Sequence, residues 1–517
     1  MELSRADHST SPPQVDVPRD YNAAYDLVER NLRAGRGDKV AFRDDEGELT
    51  YAQLAERANR FGSGLLSLGL RMEERIVLAL HDTVDFPTAF LGSIRAGIVP
   101  IPVNTLLTAK DYRYLLSDSR ARALVVSAAL LRQLEPALDG LPFLDHVIVT
   151  GSSFEDLLAA GTPELAPAPT TRDDPCFWLY SSGSTGAPKG TVHAHSSMVQ
   201  TAELYARGVL GLEASDVVFS AAKLFFAYGL GNSLSFPLTL GATSVLMAER
   251  PTPEAVFARL KETAPSVFCG VPTLYAAMLA DPGFPDRADL RALRLCVSAG
   301  EALPPQIGRS FRDKTGIDIL DGIGSTEMLH IFLSNRPDDV RPGTTGTAVP
   351  GYELRLGDEE GRLVEPGEIG ELEISGPTSA MAYWNNRAKS RATFAGEWTR
   401  SGDKYLRDGD GYYVYCGRTD DMLKVSGIWV SPAEVEAALV DHPAVLEAAV
   451  VGKEDERELV KPKAWVVLKP DARASADELK LHVKEKLAPY KYPRWIEFVT
   501  ELPKTATGKI QRYKLRP

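Results

Sequence analysis

Ten residues, Ser181–Gly190 (SSGSTGAPKG), combine four hydroxyl side chains, three glycines and one lysine, Lys189. Glycine lets backbone N–H groups turn inward and approach a ligand closely. Inward N–H groups, hydroxyls and one ammonium suit a polyphosphate. The apolar string Cys176–Tyr180 predicts a buried strand before the loop, and Ser196–Arg207 has helical spacing after it. We therefore expect a strand, loop and helix that cradle phosphate, with a flexible serine–glycine linker as the alternative. The Walker pattern is absent, because no glycine directly precedes the lysine.

Two later segments place a carboxylate after a glycine turn. In Asp321–Glu327 (DGIGSTE), Glu327 is suited to Mg²⁺, a hard cation that takes few carboxylates together with nucleotide phosphates, and Thr326 to an α-phosphate. An ordinary helix N-cap is the alternative for this segment. In Ser401–Asp403 (SGD), the Asp403 carboxylate suits ribose hydroxyls, although surface turns use the same residues.

Two more polar segments lie towards the end of the chain. Gly417–Glu436 contains Arg418, a donor fork for hydroxyls or phosphate, and Asp420, where we expect a domain boundary. Pro503–Arg512 (PKTATGKIQR) is a second glycine-containing loop and carries Lys509. Taken alone, this lysine would be interpreted as a solvated surface charge.

Bulk composition narrows the class of protein. A length of 517 residues is several times the usual domain length of ~150 residues. The net charge of −12 argues against nucleic-acid partners and anionic membranes. Four separated cysteines without a CxxC pair are typical of reduced thiols in the cytosol. The polar N-terminus does not resemble a signal peptide, and no apolar run reaches the ~18 residues of a membrane span. We expect a cytoplasmic protein.

The order of predicted elements favours an α/β fold with a large N-terminal and a small C-terminal domain. Residues 1–20 are expected to be a flexible tail. Residues 21–419 are expected to hold two α/β subdomains and a β-rich subdomain. Open α/β sheets bind ligands at the carboxyl ends of strands, where two of the predicted strands carry small residues and carboxylates. The predicted strands are Arg75–Leu80, Gly97–Val103, Ala123–Ser127, Leu293–Ser298 and Asp318–Asp321.

Residues 420–517 are expected to form a mobile α+β lid. They carry 17 basic and 16 acidic side chains, so the acidic excess lies in the remainder of the chain. Capping boxes at Ser431–Glu434 and Ser475–Glu478 predict two helix starts. Strands are predicted at Ala448–Val451, Ala464–Leu468 and Trp495–Val499.

Five of these motifs, SSGSTGAPKG, GSTE, SGD, GRTDD and PKTATGK, resemble the adenylate-forming superfamily in order and spacing. Its members include acyl- and aryl-CoA synthetases, peptide-synthetase adenylation domains and firefly-type luciferases. The resemblance covers about residues 20–517, and five ordered motifs are specific where each alone is weak or moderate. Three further segments are most similar to benzoate–CoA ligases, namely Ala221–Asn232, Ser298–Pro304 and Gly322–Ser334.

The resemblance implies ATP, Mg²⁺, coenzyme A and a small aromatic carboxylate as ligands of a monomer or homodimer. The carboxylate would attack the α-phosphate of ATP and release pyrophosphate, and the thiol of coenzyme A would then displace AMP. It implies catalytic roles for Lys509, Thr326, Glu327 (which would also hold the Mg²⁺), the aromatic gate Phe226, and Lys424. The implied nucleotide-binding residues are Ser181, Ser182, Gly183, Ser184, Thr185, Gly186, Lys189, Gly300, Glu301, Asp321, Gly322, Ile323, Asp403 and Arg418.

The same resemblance implies an acyl pocket, a coenzyme A tunnel and a hinge. A flat ring suits a slot with small residues for space and apolar walls for packing. The implied pocket residues are Ala227, Tyr228, Gly229, Gly324, His330, Ile331 and Lys424. Ser426 and Gly427 would line the tunnel, and Asp420 would be the hinge. For Tyr228 and His330, an ordinary core role is the alternative.

Two positions depart from the superfamily pattern. Ile323 stands where many members stack an aromatic ring on adenine, and Trp429 where many place a basic residue. The contacts of the coenzyme A 3′-phosphate therefore remain unassigned. His193 and His195 follow the phosphate loop, but we interpret them as packing residues, since no third metal ligand lies near in the sequence.

Other functions stay open at this point. They include a ligase for hydroxy-, amino- or methylbenzoate, a stand-alone adenylation enzyme that loads a carrier protein, a P-loop phosphotransferase or ATPase, and a non-catalytic nucleotide-binding relic. A single polar or steric contact separates the substituted benzoates.

Overall fold

The computed structural model describes residues 1–181, 187–425, 428–456, 459–488, 490–504 and 510–516. Within these ranges, no helix has both the length and the apolar character that crossing a bilayer requires. The fold is mixed α/β, with a large N-terminal domain and a small C-terminal domain.

The first α/β unit is a four-stranded parallel sheet, as the alternation of helices and strands predicts. Its strands, in spatial order, are Val99–Pro102, Arg75–Ala79, Ala123–Val126 and His146–Val149. Its helices are Asp85–Arg95, Ala109–Ser119, Ala128–Leu138 and Ser153–Ala160. A three-stranded antiparallel sheet of Pro175–Ser181, Lys189–Ala194 and Ala382–Tyr383 accompanies it.

The second α/β unit is a nine-stranded sheet whose six central strands are parallel, with antiparallel pairing at both edges. In spatial order the strands are Thr347–Ala348, Ile331–Ser334, Ile319–Gly324, Leu295–Ser298, Val267–Gly270, Val217–Ser220, Thr243–Val245, Val40–Arg43 and Glu48–Thr50. The remaining helices of this part are Ala23–Arg33, Tyr51–Ser67, Ser197–Thr201, Ala202–Arg207, Ala227–Leu230, Gly231–Ser235, Phe236–Leu240, Pro253–Thr263, Pro272–Ala280 and Pro305–Thr315, of which Ala202–Arg207 and Gly231–Ser235 are π-helical.

The expected β-rich unit follows as a five-stranded antiparallel sheet. Its strands are Glu353–Gly357, Ile369–Ser375, Phe394–Ala395, Trp398–Arg407 and Tyr413–Arg418, with one helix at Arg387–Thr393.

The C-terminal domain has its own apolar core between a three-stranded sheet and two helices. The strands are Val445–Glu454, Val460–Leu468 and Trp495–Phe498, beside the hairpin Leu423–Val425 and Ile428–Val430. The helices are Pro432–Val440, Ala476–Lys486 and the 3₁₀ turn Arg512–Lys514. Ser475 forms the full predicted capping box with Glu478. Ser431 caps the Glu434 N–H, but the Glu434 carboxylate accepts from Lys491 Nζ instead of closing a box.

The structure differs from two expectations. Residues 1–20 form a hairpin, Arg5–Asp7 with Gln14–Asp16, and Ser4 Oγ donates to the buried Asp26 carboxylate at 2.6 Å. These tertiary contacts order a segment whose composition is typical of a tail. The phosphate loop is followed by the strand Lys189–Ala194 before any helix, so the expected strand–loop–helix order is wrong.

Candidate active site

The two ends of the predicted phosphate loop lie on an antiparallel pair of strands. Ser181 and Lys189, the loop's two ends, are directly paired. Ser181 Oγ is buried and has no hydrogen-bond partner in the described part of the chain, so a ligand oxygen can satisfy it. Partial burial lowers the pKa of Lys189, with Lys389 and Arg418 acting in the same direction and Glu327 opposing them. The predicted loop residues Ser182, Gly183, Ser184, Thr185 and Gly186 lie outside the described residues.

Two neighbouring parallel strands bring the next predicted segments together. Ser298 and Asp321 are paired where Leu295–Ser298 and Ile319–Gly324 run side by side. Gly300, whose φ of +95° favours glycine, and Glu301 therefore lie near Gly322 and Ile323. Burial raises the pKa of Asp321 well above its usual range, and its Oδ1 has no partner among the described groups. This edge thus offers a buried carboxyl oxygen without a partner among the described groups.

Thr326 and Glu327 are held from two sides. His193 Nε2 lies 2.8 Å from the Thr326 carbonyl oxygen, and burial lowers the pKa of His193 to about 4, so the neutral ring donates this bond. Glu327 Oε1 accepts from Tyr383 Oη at 2.6 Å. His195 Nδ1 accepts from the Ala23 N–H. Both histidines therefore serve packing and positioning.

Asp403 and Arg418 face each other across paired strands. Asp403 is 8% exposed and accepts from Arg418 Nη1 at 3.2 Å. Arg418 also donates to the Ser401 carbonyl oxygen at 3.1 Å and lies 3.7 Å from Asp420. Gly402 has a φ of +72°, and a Cβ there would stand 2.9 Å from the guanidinium. The positive φ at this point of the strand favours glycine, and the missing side chain leaves room for the guanidinium.

The predicted acyl residues gather around one helix and one strand end. Phe226 precedes the helix Ala227–Leu230, and its ring lies 4.5 Å from that of Phe225. Gly324 pairs with Ile331, and a Cβ at Gly324 would stand 2.5 Å from the His330 carbonyl oxygen. A Cβ at Gly229 would stand 2.1 Å from the Lys223 carbonyl oxygen. Glycines at these positions allow close backbone approach.

His330 is 2% exposed and enclosed by aromatic rings. Its ring centroid lies 4.4 Å from that of Phe236 and 5.6 Å from that of Tyr228. Burial lowers its pKa to about 3, so the ring is neutral and Nε2 donates to the Tyr228 carbonyl oxygen at 3.2 Å. Tyr228 Oη donates to the Val297 carbonyl oxygen at 3.3 Å. These polar groups are thus engaged within the protein, while His330 Nδ1 has no partner in the part described.

The C-terminal domain reaches the same edge of the nine-stranded sheet. Lys504 and Ile510 form an isolated antiparallel bridge, and the Ile510 N–H donates to Glu301 Oε1 at 2.9 Å. The Asp420 carbonyl oxygen accepts from Arg516 Nη2. The predicted residues Lys509, Ser426 and Gly427 lie outside the described residues, as does the side chain of Lys424.

Tyr383 is a site residue that sequence reasoning missed. Its hydroxyl bonds Glu327, and Lys189 Nζ lies 4.4 Å from its ring centroid. No motif marks this tyrosine, because it stands 56 residues beyond Glu327 on a two-residue strand. Only the pairing of that strand with Lys189–Ala194 brings it into the site.

Comparison with protein families matches residues 28–384 to the AMP-binding enzyme family and residues 434–509 to the AMP-binding enzyme C-terminal domain. Among curated proteins, the chain is 62% identical to the benzoate–CoA ligase of Thauera aromatica, over 99% of both chains.

Two solved structures show the same fold at full length. A benzoate–CoA ligase from Burkholderia xenovorans LB400 has a TM-score of 0.91 at 57% identity, covering 96% of this chain and all of that one. An anthranilate–CoA ligase in complex with anthranoyl-AMP has a TM-score of 0.94 at 47% identity, covering 97% of both chains.

Proposed function

We propose that this chain, which belongs to the AMP-binding enzyme family, is an ATP-dependent, AMP-forming ligase that joins benzoate to coenzyme A. The observation that carries the proposal is the 62% identity, end to end, with a benzoate–CoA ligase. A role in aromatic-acid degradation and a cytoplasmic location are consistent with it.

The reaction proceeds in two half-reactions. A benzoate oxygen attacks the α-phosphorus of ATP, the bond to the β-phosphate oxygen breaks, and pyrophosphate leaves. The coenzyme A thiolate then attacks the carbonyl carbon of benzoyl-AMP, and AMP leaves with the oxygen that benzoate supplied. Charge develops first at the α-phosphate and then at the carbonyl oxygen, so preorganised cations and N–H donors accelerate both steps.

The nucleotide binds along the ends of two pairs of strands. One is the antiparallel pair Pro175–Ser181 and Lys189–Ala194, and the other is the parallel pair Leu295–Ser298 and Ile319–Gly324. The loop ended by Ser181 and Lys189 holds the β- and γ-phosphates, and Thr326 contacts the α-phosphate. Asp403 and Arg418 bind the ribose hydroxyls. Residues 300–301 and 321–323 line the adenine slot.

Glu327 fits Mg²⁺. One carboxylate oxygen is anchored by Tyr383, and the other takes no hydrogen bond in the described part of the chain. A single carboxylate together with phosphate oxygens is a donor set typical of Mg²⁺ at nucleotide sites. The bound cation would neutralise charge on the leaving pyrophosphate.

The aryl ring binds between Ala227–Gly229 and Gly324, with His330 and Ile331 behind it and Phe226 as the gate. The Tyr228 hydroxyl and His330 Nε2 already donate to carbonyl oxygens within the protein, so a ring hydroxyl would have to compete for these two groups. Lys424 contacts the substrate carboxylate.

The C-terminal domain begins at residue 420, and its hinge is Asp420. In the orientation seen, the Ile510 N–H donates to Glu301 Oε1, so the residue that follows Lys509 in sequence lies beside the proposed adenine slot, which supports an assignment of this orientation to adenylation. Rotation about the hinge would remove this loop and bring Ser426 and Gly427 to the coenzyme A thiol. The enzyme acts as a monomer or homodimer.

Product analysis tests the proposal. Purified protein with benzoate, MgATP and coenzyme A should yield AMP, pyrophosphate and benzoyl-CoA in equal amounts, and none without benzoate. ADP and orthophosphate would point to a phosphotransferase. Benzoyl-AMP that reacts with a carrier protein but not with coenzyme A would point to a carrier-loading enzyme.

A ligase for a substituted benzoate is the second candidate. It is favoured by the likeness to the anthranilate–CoA ligase structure at a TM-score of 0.94. Ranking kcat/KM for benzoate, 2-aminobenzoate and 4-hydroxybenzoate by AMP release separates the two, and benzoate should rank first.

A further inference from the structure

We propose that Tyr383 is a positioning residue that holds both the Mg²⁺-binding carboxylate and the phosphate-binding ammonium of the ATP site. This inference rests on the proposed function. The tyrosine acts through Glu327 by its hydroxyl and through Lys189 by its ring.

The hydroxyl contact fixes the Glu327 carboxylate. Tyr383 Oη donates to Oε1 at 2.6 Å, a distance typical of a strong hydrogen bond between a hydroxyl group and a carboxylate. Tyr383 is 4% exposed, so water does not compete for this bond. With Oε1 held, Oε2 keeps a fixed direction in which to meet a cation.

The ring contact places the Lys189 ammonium. Nζ lies 4.4 Å from the Tyr383 ring centroid, within the range of a cation–π interaction. Partial burial lowers the pKa of Lys189, because it removes water from the ammonium. The electron-rich face of the Tyr383 ring offsets part of that lost solvation. Tyr383 therefore contacts both groups and sets the distance between the Glu327 carboxylate, which would bind the metal, and the Lys189 ammonium, which would bind the phosphates.

The backbone explains why this tyrosine occupies that place. Tyr383 pairs directly with Thr191 on the neighbouring strand Lys189–Ala194. Lys189 lies two residues before Thr191, so the side chains of Tyr383 and Lys189 are on the same face of the sheet. The Trp384 N–H donates to the Gly190 carbonyl oxygen at 2.7 Å. On the other side, the Ala380 N–H donates to the Glu327 carbonyl oxygen at 2.8 Å. Residues 380–384 thus bridge the two functional segments through main-chain bonds.

Two substitutions separate the two contacts. Tyr383→Phe removes the hydroxyl and keeps the ring, whereas Tyr383→Leu removes both. Tyr112→Phe is the matched control, because Tyr112 is buried and its hydroxyl donates to the Asn104 carbonyl oxygen, in a segment outside the site.

The measurement is calorimetric binding of α,β-methylene-ATP, which cannot be adenylated, with Mg²⁺ and with EDTA. For Tyr383→Phe, we expect affinity to fall about 10-fold with Mg²⁺ and to stay unchanged with EDTA. For Tyr383→Leu, affinity should fall under both conditions, and Tyr112→Phe should match wild type. In a Glu327→Gln background, Tyr383→Phe should add no further Mg²⁺-dependent loss.

Each outcome bears on a different claim. Wild-type protein that does not bind the analogue would contradict the proposed function itself. Wild-type binding that Tyr383→Phe leaves unchanged, or weakens equally with Mg²⁺ and EDTA, would overturn the role of Tyr383 alone. If Tyr383→Leu does not fold, Tyr383→Phe and the double variant still decide the hydroxyl contact.

Discussion

The backbone N–H of Ile510 donates a hydrogen bond to Glu301 Oε1 across 2.9 Å and so joins the C-terminal domain to a strand end of the large domain. Ile510 is the residue that follows Lys509, and Glu301 follows the strand Leu295–Ser298. The acceptor is a carboxylate, which makes the bond stronger than one between neutral groups. Because the bond joins the two domains, it stabilises the domain orientation seen here, which we propose is the adenylation arrangement.

Glu301→Ala should slow adenylation selectively. Loss of a charge-assisted hydrogen bond worth about 1.5 kcal/mol predicts a rate of benzoyl-AMP formation about 10-fold lower. At saturating benzoyl-AMP, thioester formation should change little, because that step uses the other orientation and saturation offsets a lost contact between Glu301 and the adenine. Single-turnover assays of each half-reaction provide the measurement.

Two variants serve as controls for Glu301→Ala. Glu301→Gln keeps an acceptor oxygen and should lose less. Arg309→Ala removes a 3.7 Å ion pair with Asp441 that is partly exposed and contributes little. If Glu301→Ala slows both half-reactions equally, the substitution causes a general defect and does not act through the hydrogen bond between the domains.

Lys509→Ala should abolish the first half-reaction and spare the second. Removing a group that stabilises developing charge at the α-phosphate predicts a loss of about 100-fold or more in benzoyl-AMP formation. Conversion of supplied benzoyl-AMP to benzoyl-CoA should stay close to wild type. Comparable losses in both steps would remove Lys509 from its assigned role.

Gly231→Ala should destabilise the protein and weaken benzoate binding. Alanine normally gains up to about 1 kcal/mol over glycine in a helix. Here its Cβ would stand 2.2 Å from the His330 ring, which Phe236 prevents from retreating. Overpacking of this kind costs about 2 kcal/mol. We expect a lower free energy of unfolding in urea and a raised KM for benzoate, with KM for ATP unchanged.

Gly308→Ala is the matched control for Gly231→Ala. It lies within the helix Pro305–Thr315, and its Cβ would meet only Leu303 at 3.6 Å, an ordinary contact. This variant should be as stable as wild type or more so. If Gly231→Ala behaves in the same way, the ring of His330 is not as confined as its contacts indicate.

Asp82 should make stability depend on pH. Burial raises its pKa from 3.8 to about 6, against the opposing effects of Lys223 and the Leu224 N–H. Between these values the folded protein holds a proton that the unfolded chain releases, so stability falls as pH rises from 4 to 6. The variant Asp82→Asn has no ionisable group at this position, so its stability should not fall in this way as pH rises.

Denaturant unfolding at several pH values measures the effect of Asp82. The stability of Asp82→Asn relative to wild type should increase by about 2 kcal/mol between pH 4 and pH 7. Other titrating groups are common to both proteins and cancel in the difference. A stability difference that does not vary with pH would show that Asp82 titrates normally.

Apolar strand patterns in the sequence predict the parallel sheets of the large domain. Apolar strings at Arg75–Ala79 and Ala123–Val126 alternate with helices, and such alternation produces a parallel sheet. The meeting of Ser298 with Asp321 follows from the same rule, since the carboxyl ends of neighbouring parallel strands lie together. Local pattern and topology agree at these places.

Contacts between distant residues were beyond sequence reasoning. Helical spacing from Ser196 onwards predicts a helix directly after the loop, whereas the structure inserts the strand Lys189–Ala194 between them. The ordered N-terminal hairpin is held by the hydrogen bond from Ser4 Oγ to the Asp26 carboxylate. The amino-acid composition of residues 1–20 cannot predict such a contact. Tyr383 meets Glu327 only through strand pairing that no short motif encodes.

The most direct test of the account follows an oxygen atom. Benzoate labelled with ¹⁸O in both carboxylate positions should transfer one label to AMP, because its oxygen attacks the α-phosphate and stays on phosphorus when the C–O bond breaks. Mass spectrometry of AMP from a reaction with MgATP and coenzyme A should show one ¹⁸O per molecule. Unlabelled AMP, or label in orthophosphate, would contradict adenylation of the carboxylate.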